Sequence, residues 1–258
     1  MERAANLSSW LVPCNPCPEV IDDFVRVVSK KICQLVYVDL DLVGMESRVK
    51  EVEELLDLNT KDAVRVVAIC GMGGIGKTTL ATVLYDRISH RFDASHFLLN
   101  VSEFDMNTEG KSILIVLDGV DIYQKLQPLI QTIDDSLLGG GSRIILTTRD
   151  EGILKVFKMH DIYRVKLLTG HEAVQLFCRK VFKCDFPIRD YEEHIDSVLK
   201  YVSGLPLVTV KLGSFLYNRR ASEWSTALVE FKKVASLMIM KVLRSSFLEL
   251  DFIAKETF

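Results

Sequence analysis

The stretch Gly71-Met72-Gly73-Gly74-Ile75-Gly76-Lys77-Thr78-Thr79-Leu80 sets four glycines and one lysine between an apolar run, AVRVVAIC at 63–70, and a segment of helical period, TLATVLYDRI. Gly71-x-x-x-x-Gly76-Lys77-Thr78 has the spacing of a phosphate-binding loop, and a strand before it with a helix after it is the context that chemistry requires. Bare backbone lets N–H groups turn inward and reach phosphate oxygens with no side chain in the way. The following helix offers unpaired N–H groups and the positive end of its dipole to the same anion. Gly71, Gly73, Gly74, Ile75, Gly76 and Thr79 are the backbone candidates; Lys77 would reach the β- and γ-phosphates, and the Thr78 hydroxyl would ligate Mg2+. A second apolar run, SILIVLD at 112–118, ends in Asp118 and carries one carboxylate to a sheet edge where the same Mg2+ would sit. No N-K-x-D pattern that reads guanine is present, which favours an adenine nucleotide, ADP or ATP. The plainer alternatives are a strand–turn–helix without a ligand and a buried strand capped by a turn aspartate.

These residues need a scaffold, and the pattern around them supplies one. Short continuous apolar runs recur at 63–70, 96–101, 112–118 and 142–148, with a weaker one at 163–168. Continuity rather than alternation indicates strands covered on both faces. Amphipathic segments lie between most of them, so the fold class expected is α/β, a three-layer parallel sheet of the P-loop type. Beyond Leu168 the strand signal fades. EAVQLFCRKVF, YEEHIDSVLKYVS, PLVTVKLGSFLY and SEWSTALVEFKKV all have helical period, which predicts a small helical subdomain. Upstream, residues 1–18 read as a flexible tail, residues 19–42 as a linker helix, and MESRVKEVEELLDL as a second amphipathic helix.

Composition narrows the classes. The chain has 258 residues, 48% hydrophobic and 26% charged, with a net charge of −3, values ordinary for a globular protein. A sequence pI of 6.0 gives no basic face for nucleic acid. Mean hydropathy is +0.19, yet the longest apolar runs fall far short of the roughly 18 residues a membrane span needs. No secretory signal is visible at MERAANLSSWLVPC, and six scattered cysteines suit a reducing compartment, the cytoplasm, with the nucleus also open. Cys14-Asn15-Pro16-Cys17 has the C-x-x-C spacing but lacks a second pair, so it reads as two incidental thiols.

With the motifs in place, the sequence resembles the NB-ARC nucleotide-binding module of plant disease-resistance proteins, particularly the TIR-type NBS-LRR proteins. The stretches that carry the resemblance run in family order: LVGMESRVKEVEELLDL, GMGGIGKTTLA, HFLLNV, ILIVLDGVD, GSRIILTTRD, YRVKLL with EAVQLFCRKVF, GLPL at 204–207 and SEWSTAL. They cover roughly residues 19–258. The resemblance implies a P-loop domain at 43–168 with a shortened connection at 102–111, a helical ARC1-like subdomain at 169–240, and the truncated start of a winged helix at 241–258. It implies that Val43 and Gly44 lie along the adenine, that Arg149 senses the γ-phosphate, and that Pro206 packs on the adenine from the helical side. It also implies a defence-signalling switch that holds ADP when off and ATP when on, with other NLR-type immune receptors or signalling proteins as candidate partners. Met159-His160-Asp161 spells the family's MHD triplet but precedes GLPL instead of following it, and so reads as a coincidence.

Departures from the family pattern set further expectations. Gly119 stands where a second acid is usual, so hydrolysis should be slow or absent. Ten residues, 102–111, separate the 96–101 and 112–118 runs, too few for a parallel crossover. The 96–101 strand is therefore expected to leave its place, to pair antiparallel or to stay unpaired, with a weakened sheet edge. No TIR domain is seen before Glu19, so no NADase activity is expected, and no leucine-rich repeats follow. Two other functions stay open: a weak P-loop ATPase, and a truncated interaction protein that binds no nucleotide.

Overall fold

Apolar runs without alternation hold together as strands when both their faces are covered, and the computed structural model, which describes residues 42–98, 110–120, 138–156 and 161–231, builds such a sheet. Helix α1 spans Met45–Leu56, strand β1 Arg65–Cys70 and helix α2 Lys77–Ile88. Strands β2 (Ala94–Leu98), β3 (Ile113–Leu117) and β4 (Arg143–Thr148) follow, then helix α3 (Glu151–Val156) and strand β5 (Ile162–Arg164). The strands form one five-stranded sheet in the order β2-β3-β4-β1-β5, every pairing parallel. The tail at 1–18, the C-x-x-C pair, nearly all of the 19–42 helix, most of the 102–111 connection, Met159-His160 and the winged-helix start at 241–258 lie outside the described residues.

The period of two along each strand divides the core between the sheet's faces. Val67, Ile69, Leu114, Val116 and Ile145 pack with Val49, Val52 and Leu56 of α1 and with Leu80, Leu84 and Ile88 of α2. Ala68, Cys70, Ile113, Ile115, Ile144 and Leu146 pack on the other face with Ile153 and Leu154 of α3. Arg143 is the exception, a charged group 1% exposed at the start of β4. Its guanidinium donates to the carbonyls of Leu56 (2.6 Å), Asp57 (2.6 Å), Thr60 (2.5 Å), Ala63 (3.1 Å) and Ser142 (3.0 Å). It thereby satisfies the orphan carbonyls at the C-terminus of α1 and ties that helix to the sheet.

The expectation for the 96–101 run is corrected. The strand runs Ala94–Leu98 and pairs parallel with β3, from Ala94 opposite Ile113 to Leu98 opposite Leu117. Its residues begin two positions earlier than the apolar run suggests, which leaves residues 99–112, fourteen in all, before β3. That meets the dozen or so a parallel crossover needs. Polar contacts fix the register: the Asp93 carboxylate accepts from the Ser112 amide (2.9 Å) and hydroxyl (3.0 Å), and the Asp118 amide donates to the Leu98 carbonyl (2.9 Å). Strand β2 is half-buried along its length, as an edge strand should be.

After β5 come helices α4 (Gly170–Phe182), α5 (Glu192–Val202), α6 (Pro206–Leu216) and α7, described over 221–231. Thr169 and Glu172 cap α4 reciprocally, each side chain bonding the other's amide. Pro206 opens α6 at a position where no N–H is needed. Phe177, Val181, Val198, Leu212, Leu216 and Trp224 form a core of their own, with Trp224 fully buried and in edge contact with Phe177.

Candidate functional site

In a parallel sheet the loops that leave the strands' C-terminal ends gather along one edge, where open α/β folds bind ligands. Here that edge carries the glycine loop after β1, Asp118 after β3 and Arg149 after β4. Gly73 and Ile75 are buried, with Ile75 anchored in the core between the sheet, α1 and α2. Gly74 has φ +77°, and a Cβ there would overlap the Leu207 side chain, so the loop needs glycine for both backbone and space. Gly76 precedes the first turn of α2, with Lys77 its first residue and Thr78 and Thr79 next.

Lys77 is only 8% exposed, and its ammonium donates to the carbonyls of Gly71 (2.7 Å) and Met72 (3.1 Å). The cation is thus folded over its own loop. The Thr78 hydroxyl lies 2.9 Å from both carboxylate oxygens of Asp118. The glycine loop and the β3 aspartate therefore meet, as the spacing required. A hydroxyl and a carboxylate side by side are hard oxygen donors of the kind Mg2+ takes, so these residues fit that ion.

Thr147 escaped the sequence reading. Its hydroxyl donates to Asp118 Oδ1 (2.6 Å) and accepts from the Gly119 amide (2.8 Å), so it orients the carboxylate and turns the chain behind it. A polar residue at the end of the strand beside that of Asp118 was the available signal. Gly119 itself is exposed at φ +71°, with nothing within 4 Å of where its Cβ would stand. Arg149 is exposed just past β4.

The remaining candidates sit on the helical side of the edge. Val43 is 4% exposed and packs against Leu168, Ala173 and Leu176. Gly44 precedes α1 at φ +69°. Pro206 is half-buried, and the next residue, Leu207, donates its amide to the Gly74 carbonyl (3.2 Å), so the GLPL segment touches the glycine loop directly. The Leu168 amide donates to the Gly204 carbonyl (2.9 Å) at the start of that segment.

A charge network beneath Val43 and Gly44 also carried no sequence signal. The Arg48 guanidinium donates to Glu172 Oε1 (2.9 Å) and Oε2 (3.1 Å), to the Leu167 carbonyl (3.1 Å) and to the Gly44 carbonyl. The Arg48 hydrogen bond, against a smaller desolvation effect, holds the Glu172 carboxyl down at about 2. Lys166 bonds Glu51 (2.9 Å), and burial, then the Glu51 charge, pushes the Tyr163 phenol up to about 12.

Comparison with known proteins matches residues 45–109 and 106–186 to the model of the NB-ARC domain. Disease resistance protein RUN1 of Vitis rotundifolia is 32% identical over 96% of this chain and 21% of its own length. TMV resistance protein N of Nicotiana glutinosa is 30% identical over 89% of this chain and 23% of its own. The chain thus spans about a fifth of the length of such relatives. Among solved structures, the replication initiator DnaA bound to AMPPCP and single-stranded DNA superposes with TM-score 0.52 at 14% identity, covering 77% of this chain and 72% of that one. Cdc6p from Pyrobaculum aerophilum gives 0.51 at 14% identity, over 74% and 64%. At such identities the likeness is one of fold.

Proposed function

This chain belongs to the NB-ARC family, the nucleotide-binding module of plant disease-resistance proteins, and from that premise we propose that it binds ADP or ATP with Mg2+ and serves as a switch in defence signalling. The observation that carries the reading is the meeting of Thr78 and Asp118 at 2.9 Å beneath a loop whose lysine is folded over its carbonyls. In this reading Gly71, Gly73, Gly74, Ile75, Gly76 and Thr79 offer backbone to the phosphates, and Lys77 exchanges its loop carbonyls for phosphate oxygens. Thr78 and Asp118 hold Mg2+, which when bound neutralises phosphate charge. Val43, Gly44 and Pro206 border the base, and Arg149 reads the terminal phosphate. Contacts that depend on that phosphate would select between two packings of the helical side against the sheet. The partners of the switch are proposed to be other immune receptors or signalling proteins.

Hydrolysis is proposed to be slow, because Gly119 presents no carboxylate to activate water. Among the described residues no helix is long and apolar enough to cross a membrane. Equilibrium dialysis with labelled ADP and Mg2+ tests the reading. A saturable complex lost on Lys77→Ala is expected; no Lys77-dependent complex at about 1 mM, the weak end of specific affinity, would sink it. Multiple-turnover phosphate release from Mg-ATP separates switch from ATPase, with release at or near background expected.

A further inference from the structure

The two sides of this site are built by different means. On the phosphate side a loop closes on its own lysine and Thr78 meets Asp118. The base side comprises Val43–Gly44, before α1, and Gly204–Pro206, which leads into α6, and one largely buried ion pair links them through Leu167 and Leu168. Resting on the nucleotide reading above, we propose that Arg48 and Glu172 are a positioning pair that presents Val43–Gly44 and Gly204–Pro206 to the base of the bound nucleotide.

The geometry runs through named atoms. Arg48 is 5% exposed, and its guanidinium grips the Gly44 carbonyl on one side and the Glu172 carboxylate on the other. Glu172 also accepts from the Thr169 amide (2.8 Å), so the pair is fused to the start of α4. The same guanidinium holds the Leu167 carbonyl (3.1 Å), and the next residue, Leu168, donates to Gly204 (2.9 Å). Two residues beyond Gly204 is Pro206, and Leu207 closes the circuit on the Gly74 carbonyl (3.2 Å). The pair therefore reaches Gly44 directly and the 204–206 segment through Leu167 and Leu168.

Gly44 supplies an independent reason for reading the pair as a device for this segment. A Cβ there would overlap the Glu172 carboxylate and the Arg48 guanidinium, so the chain before α1 has no side chain where the pair must pass. A bidentate guanidinium–carboxylate contact fixes direction as well as distance, which a hydrophobic contact would not. Removing one partner leaves a partly buried charge without its counter-ion and loosens whatever the pair held. Binding then weakens by the fraction of molecules in which the base side remains ordered.

The test uses the full chain, with Mg-ADP and inorganic tripolyphosphate as probes in calorimetry. Arg48→Met is expected to weaken ADP about tenfold or more while leaving tripolyphosphate within about twofold, as loss of pre-order on one side of a site predicts. Glu172→Gln, which keeps the shape and an acceptor for Thr169, should act in the same direction, and Arg48→Lys should restore part of the loss. Hydrogen exchange without any ligand is the second readout: in Arg48→Met the Leu168 and Leu207 amides should exchange faster, with β1, β3 and β4 unchanged. Equal losses for both probes, or unaltered exchange at those two amides, would overturn the proposal. A wild-type chain that bound ADP no more tightly than tripolyphosphate would remove the nucleotide reading instead, and the exchange data would still judge the pair.

Discussion

Replacing Gly74 with alanine tests the contact on which the site's two sides meet. At φ +77° an alanine costs about 1–2 kcal/mol from its own backbone. Its Cβ would lie 2.6 Å from Leu207 Cβ and 2.7 Å from Leu207 Cδ2. The Cδ2 methyl can swing aside, but the Leu207 Cβ is fixed to the first turn of α6, so that turn must retreat. The retreat lengthens the Leu207 amide bond to the Gly74 carbonyl, now 3.2 Å, and forfeits about 1 kcal/mol more. The whole effect is about 2–3 kcal/mol, read as a lowered urea midpoint with weaker Mg-ADP binding. Leu207 is 38% exposed, so its truncation removes little core. In a Leu207→Gly background the steric share disappears and Gly74→Ala should cost only the backbone share, about 1–2 kcal/mol. Equal penalties in the two backgrounds would refute the reasoning, since the strain would then not lie between loop and helix.

Three further perturbations follow from the same geometry. Thr147→Val removes the hydroxyl that orients Asp118 and leaves the Gly119 amide without its acceptor, so stability should fall by about 1–3 kcal/mol and the Mg2+ needed for ADP binding should rise; Thr147→Ser should restore both, as urea and Mg2+ titrations would show. Arg143→Met takes the guanidinium from the Leu56 carbonyl and one of two donors from the Asp57 carbonyl at the end of α1, and should destabilise the fold by about 1–3 kcal/mol, again read from urea midpoints. The Glu172 carboxyl, held at about 2 by Arg48 when folded and near its ordinary 4.5 when unfolded, contributes stability that is present above 4.5 and lost as pH falls towards 2. Urea midpoints between pH 6 and pH 3 should therefore drop, and the slope should flatten in Glu172→Gln.

Much of the frame was legible because its signals are local. Continuous apolar runs marked β1, β3 and β4, and glycines with a lysine in P-loop spacing marked the loop between β1 and α2. The placement of β2 was misread because its register is set by Asp93 on Ser112, contacts that apolar pattern does not encode. Thr147 was legible only as one of two threonines that end β4, since the run does not say which strand lies beside it. Arg48 and Glu172 were not: 124 positions separate them, and each alone looks like a solvated charge on an amphipathic helix. Gly44 was named only by the resemblance, and its need for bare backbone becomes visible only with the pair beside it.

That division bears on how such a site can open. The loop holds its lysine through carbonyls five and six residues away, and Asp118 reaches Thr78 from the end of β3, so the phosphate side is built on the sheet and α2. The base side depends on contacts that span well over a hundred positions, Arg48 to Glu172 and Gly74 to Leu207. Loop-closure entropy opposes the second kind more than the first, so the helical side is the part that detaches at lower cost. Detachment would break the backbone bonds that tie Gly204 to Leu168 and Leu207 to Gly74. The phosphate cradle and the Thr78–Asp118 pair would remain.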